Sequence, residues 1–127
     1  RKKGTRPRVL LLAHMDEVGL MVKSIDSNGK ISFGTLGRID PEILLAQRVK
    51  ILGKSEINGV ITIDEVLNGW TMPKKLRMED LYVYTGLSKN ELGNRGVKIG
   101  MYISFSDYCD YRTLGSKDII SGKSLSI

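Results

Sequence analysis

A mostly β chain closed into a barrel is what this sequence predicts, and three observations predict it. Short runs rich in Val, Ile, Leu, Tyr and Phe recur along the 127 residues, separated by glycine or asparagine. Room for helix is confined to PEILLA (41–46) and SKNELGNRG (88–96). Many short strands with few helices favour closure, because a closed sheet leaves no strand edge to pair with another chain.

The first run, RVLLLAH (8–14), departs from the rest. VLLLA is apolar at every position, the pattern of a strand buried on both faces of a layered α/β sheet, so it reads as a strand belonging to a neighbouring domain. VGLMVKSI and KISFGTL follow as two strands joined by Ser27, Asn28 and Gly29, with glycine supplying the positive φ of a tight hairpin. PEILLA allows a turn or two of helix. RVKILG and GVITI are the next strands, and INGV places a second Asn-Gly pair, a turn signal, at 58–59. DLYVYT is a further strand. In SKNELGNRG, Ser88 is placed to cap a short helix that glycine ends. MYISFS and DIISGKSLSI close the series, and neighbouring strands are expected to pair antiparallel.

Composition narrows the function. Hydrophobic residues make up 41% and charged residues 27%, a balance that supports one folded domain with one core. The net charge of +6 is concentrated in RKKGTRPR (1–8) and KKLR (74–77). No aromatic-rich basic face accompanies those clusters, so nucleic acid is not an expected partner. The single cysteine, Cys109, forms no internal disulfide and sits among acids in DYCDY, which favours packing over nucleophilic chemistry. No apolar run approaches the roughly 20 residues that span a bilayer, and the start lacks the apolar segment of a signal peptide. The expected compartment is the cytoplasm, with no membrane partner.

The only histidine, His14, stands at the end of the first apolar run, with Asp16 two residues on. In extended backbone residues i and i+2 face the same way, so the Asp16 carboxylate can accept a hydrogen bond from one ring nitrogen and leave the other for a metal. From the residues alone a satisfied structural histidine is the favoured reading over a ligand. Glu17, the adjacent acid, points to the opposite face of such a strand and reads as structural.

AHMDEVGLMV, FGTLGRID, QRVKI, INGVI, EDLYVYTGLSK, GVKIGMYISF and ISGKSL, in that order, resemble the middle of the co-catalytic metallo-aminopeptidases of peptidase family M-forty-two. These are the glutamyl-type, tetrahedral-particle enzymes, some of which carry cellulase- or endoglucanase-like names. The resemblance implies that His14 ligates one of two divalent metals, zinc or cobalt, and that Asp16 orients it. It implies three parts: 1–16 as a remnant strand of the catalytic α/β domain, 17–120 as a PDZ-like β-barrel that serves oligomerisation, and 121–127 as a return segment. The implied parent hydrolyses peptides and assembles into homo-oligomers, a dimer first.

Departures from the family pattern qualify this. Ser126 stands where the resemblance places an aspartate bridging both metals, and a neutral hydroxyl cannot bridge two dications as a carboxylate does. Tyr84 and Met101 replace common aspartates, and Arg38 a common glycine. The further ligands and the catalytic base correspond to positions past 127. Tight metal binding and turnover are therefore not expected of these residues alone. The residues chosen as oligomer contacts are Trp70 and Met72 in NGWTMP, and Ile43 with Leu44 beside Pro41. The alternative to a part of an aminopeptidase is a stand-alone, non-catalytic β-barrel interaction module.

Overall fold

The computed structural model describes residues 9–14, 16–64, 66, 75–105, 112–113 and 120–121. Six strands, β1 (Gly19–Ile25), β2 (Ile31–Leu36), β3 (Arg48–Leu52), β4 (Glu56–Thr62), β5 (Tyr82–Tyr84) and β6 (Tyr102–Phe105), close a barrel in the order β1-β2-β5-β4-β3-β6. Every neighbouring pair runs antiparallel. A separate two-stranded sheet pairs β7 (Arg112–Thr113) with β8 (Ile120–Ser121). The expected barrel is the observed one. β7 had no signal in the sequence.

Alternation decides which residues face inward. Leu20 and Val22 of β1, Ile31 and Phe33 of β2, Val49 and Ile51 of β3, Ile57 and Ile61 of β4, Val83 of β5 and Ile103 of β6 are all buried. In β1 the inward positions are spaced 20, 22 and then 25, which breaks a period of two. A bulge at Lys23 restores the phase: Val22 lies opposite Phe33, Ser24 opposite Ser32, and Ile25 opposite Ile31. One extra residue thus keeps Ile25 on the core side.

Two short helices add apolar residues to this core. Helix α1 (Pro41–Leu44) starts at Asp40, whose side chain accepts from the Glu42 N–H, has Pro41 in its first turn, and buries Leu44. Helix α2 (Lys89–Asn94) starts at Ser88 in a reciprocal cap with Glu91 and buries Leu92. Both lie where the sequence placed them. A 3₁₀ turn at Met78–Asp80 precedes β5, and the Arg77 guanidinium holds the Asp80 carboxylate through Nε at 3.1 Å and Nη2 at 2.7 Å.

The turn signals divide. Gly29 adopts φ +82° in the β1–β2 hairpin, as expected, and Asp26 Oδ1 accepts from the N–H groups of Asn28 and Lys30 to fix that turn. Asn58-Gly59 is not a turn. It lies inside β4, opposite Lys50 and Val49, and the β3–β4 hairpin turns instead over 53–55. Gly59 is needed for space: a Cβ there would lie 2.6 Å from Val83 Cγ1 and 3.2 Å from the Tyr84 carbonyl oxygen.

VLLLAH (9–14) is also not a strand here. Residues 9–14 pair with nothing in either sheet, and Val9, Leu10, Leu11 and Leu12 are 79–90% exposed. A strand that is apolar on both faces needs a sheet on each edge and cover on each side, and the barrel offers neither.

Candidate functional site

His14 and Asp16 meet as the spacing anticipates, though the closest contact is through the backbone. The Nδ1 of His14 lies 2.8 Å from the Asp16 carbonyl oxygen and 3.5 Å from its Oδ1. With the proton on Nδ1, the ring donates to that carbonyl and Nε2 becomes the basic nitrogen, the tautomer that a metal-ligating histidine uses. Both side chains are well exposed. Glu17, next along, is exposed as well. The arrangement fits one ligand held in a set orientation and does not make a complete site. No group of three or more His, Cys, Asp or Glu residues able to hold a metal occurs among the described residues.

The chosen contact residues fare differently. Ile43 is 61% exposed on the outer face of α1, whereas Leu44, expected as a contact residue, is 1% exposed and belongs to the core, where it has no surface to offer a partner. One helical step turns the side chain by about 100°, which is enough to separate solvent from core. Trp70, Met72, Cys109 and Ser126 lie outside the described residues. Met21, Leu36, Leu52, Tyr84 and Ile99 are further exposed apolar side chains of the barrel and its loops.

Sequence reasoning missed a second polar cluster. Lys30, at the end of the first hairpin turn, forms an ion pair with Asp64, and Tyr82 of β5 donates its hydroxyl to the same Asp64 Oδ1 at 3.0 Å. The Lys30 ammonium also lies 4.8 Å from the centroid of the Tyr82 ring. The Lys30 hydrogen bond, helped by Tyr82, holds the Asp64 carboxyl below its usual value. Burial, and then the Asp64 charge, push the Tyr82 phenol up, so it remains a donor. These groups line an open cleft of about 280 Å³ together with Asp26, Ser32, Glu79, Asp80 and Leu81.

Each acid of that cleft already has a partner. Asp26 binds the turn, Asp64 binds Lys30, and Asp80 and Glu79 both approach Arg77. Asp64 and Asp80 are poor general bases, because the hydrogen-bonded cation beside each stabilises its charged form. The cleft is built as structure. Its signal in the sequence is a tyrosine next to the inward Val83, whose hydroxyl must find a partner when buried.

Known proteins resemble this chain in sequence and in fold. Residues 1–125 match the M42 glutamyl aminopeptidase family. This chain belongs to that family. Lysyl aminopeptidase of Pyrococcus furiosus is 37% identical over 78 residues, covering 61% of this chain and 20% of its own length. The TET aminopeptidase of the marine sediment archaeon Thaumarchaeota archaeon SCGC AB-539-E09 superposes with a TM-score of 0.66 at 34% identity, over 81% of this chain and 30% of that one. The TET1 peptidase of Pyrococcus horikoshii, which can assemble into a tetrahedron or a large octahedral shell, gives 0.67 at 28% identity, over 81% of this chain and 31% of that one. The chain thus spans less than a third of the length of each of these relatives. The family is one of metallopeptidases, and the resemblance read from HMDE and the glycine-anchored strands is the family found. No helix among the described residues is long and apolar enough to cross a membrane.

Proposed function

We propose that these residues supply two parts of a dinuclear metal-dependent aminopeptidase: an oligomerisation barrel, residues 17–120, and one metal-ligand motif, His14 oriented by Asp16. The match to the family over residues 1–125, carried on a closed barrel, supports this reading most. His14 offers Nε2 as a neutral ligand to zinc or cobalt, and Asp16 fixes the ring through Nδ1. Paired metals in such an enzyme polarise the scissile carbonyl and activate water. Peptides are the proposed substrates, and the cytoplasm the proposed compartment. The proposed assembly is a homo-oligomer, a dimer first, with Ile43, Trp70 and Met72 as contact residues. A pseudo-symmetric pair of barrels is the simplest closed arrangement of identical chains. No observation favours the stand-alone interaction module.

A chimera tests this. Residues 9–121 replace the corresponding segment of the Pyrococcus furiosus lysyl aminopeptidase, and metal content, assembly and amino-acid release are measured on one preparation. The chimera should assemble and bind metal, and His14→Ala should lower bound metal per protomer and abolish hydrolysis. An assembled chimera whose metal content and hydrolysis are unchanged by His14→Ala refutes the ligand assignment. A chimera that stays monomeric refutes the barrel's role.

A further inference from the structure

The six seams of the barrel are unequal. β1 and β2 pair at six register positions, β3 and β4 at five, β4 and β5 at three, β3 and β6 at three, and β1 and β6 at two. β2 and β5 pair at one, Ile31 opposite Val83. The β1–β6 seam is reinforced beyond its register, since the Val22 N–H donates to the Met101 carbonyl at 2.9 Å and the Gly100 N–H to the Val22 carbonyl at 2.8 Å. At the β2–β5 seam the reinforcement comes from side chains. Lys30 directly precedes β2, Tyr82 begins β5, and Asp64 follows β4. One carboxylate oxygen, Asp64 Oδ1, accepts from both Lys30 and Tyr82, and the Lys30 ammonium lies over the Tyr82 ring.

We propose that the β2–β5 seam is where this barrel opens, and that Lys30, Asp64 and Tyr82 form the latch that holds it shut. Opening a strand pair costs its ladder hydrogen bonds and the burial beneath them, so the seam with one register pair opens at the lowest cost once its side-chain clasp is released. Ile31 and Val83, both 0% exposed, are the core residues directly beneath it. Release of the clasp frees two strand edges together, the form in which a sheet can accept a further strand. The other two-sided contacts of β2 and β5, with β1 and β4, remain in place, so the opening is local.

Hydrogen exchange followed by mass spectrometry on the whole 127-residue chain tests this. The variants are Asp64→Asn, which keeps shape and removes the charge, Tyr82→Phe, which removes one hydroxyl, and Lys50→Met, which removes the Lys50–Glu56 pair at the β3–β4 seam as a control. In Asp64→Asn, peptides covering β2 and β5 should exchange about tenfold faster or more, with β3 and β6 unchanged. A smaller acceleration at the same two strands is expected in Tyr82→Phe, and none there in Lys50→Met. Equal acceleration in every strand, or unchanged exchange of β2 and β5 in both Asp64→Asn and Tyr82→Phe, overturns the latch. The milder tyrosine variant decides the matter should the asparagine variant fail to fold.

Discussion

Replacing Gly29 by alanine should be the most damaging single-methyl change in the barrel's turns. Gly29 has φ +82°, and a Cβ built there lies 2.0 Å from the Leu87 carbonyl oxygen. The left-handed conformation alone costs an L-residue about 1–2 kcal/mol. The clash adds to that, because its partner is backbone at the start of α2 and cannot swing away as a side-chain tip would. To reach ordinary contact, the β1–β2 turn must withdraw from Leu87 and Ser88 by roughly 1 Å or more, an overpacking shift that costs about 1–3 kcal/mol. The total is about 2–5 kcal/mol. Gly86 provides the comparison, since it has φ +72° with nothing within 4 Å of the built Cβ, leaving the conformational cost alone. Urea unfolding measures both. With a slope of about 2 kcal/mol per molar urea, Gly29→Ala should lower the midpoint by about 1–2.5 M and Gly86→Ala by about 0.5–1 M. Equal midpoints for the two variants would refute the claim that the turn is pressed onto the α2 N-terminus.

Three further outcomes can be checked by the same unfolding measurement. Leu44→Ala should cost about 2–5 kcal/mol as a core truncation, while Ile43→Ala, one residue earlier and exposed, should stay within about 0.5 kcal/mol. Gly93→Ala should stabilise by about 0.5–1 kcal/mol, since the built Cβ meets nothing within 4 Å and α2 gains a better helix former. Acid should destabilise the fold in a defined direction. Asp64, Asp80 and Glu91 are all held below their ordinary values, by Lys30, Arg77 and Ser88 respectively. Their contribution is present above the ordinary carboxylate values of 3.8 and 4.5 and is lost as pH falls through the lower folded-state values. Unfolding midpoints should therefore be flat between pH 5 and 7 and fall below about pH 4, and a midpoint that rises on acidification would contradict these pairings.

Most of the fold was legible because its strands obey simple rules. Val49 and Ile51 alternate with Arg48, Lys50 and Leu52, and a period of two is unambiguous over five residues. The capping serine of α2 was legible because Ser88 and Glu91 bond each other three residues apart, a local interaction that needs no tertiary context. Asn58-Gly59 misled for the converse reason. Its glycine is demanded by Val83 and Tyr84, which lie more than twenty residues later in sequence, and a local turn rule cannot register a cross-strand demand. Leu44 and Ile43 were indistinguishable in sequence, since a four-residue helix has too few positions to show a period of 3.6. The latch is the least legible feature. Lys30, Asp64 and Tyr82 are ordinary residues at wide separation, joined only by the closure of the sheet.

The contact between His14 and Asp16 was legible for a different reason, and its surroundings set its limit. His14 and Asp16 meet through two residues of local backbone, so their contact survives in an exposed segment that pairs with no strand of the barrel. Orientation is local, but a metal site is not. Three or four ligands must converge, and convergence requires rigid elements on several sides of the ion. The four apolar residues that lead into His14 are 79–90% exposed, and each is worth about 1.5–3 kcal/mol when its side chain is fully buried. Taken together, that approaches the whole stability of an ordinary domain. Such residues next to His14 call for a surface to receive them. A sheet that buried Val9 to Leu12 on both faces would also hold His14 still. Burial of the apolar run and completion of a ligand set would then be one structural event, and the barrel does not wait for it: none of the described residues 9–14, 16 and 17 belongs to its core.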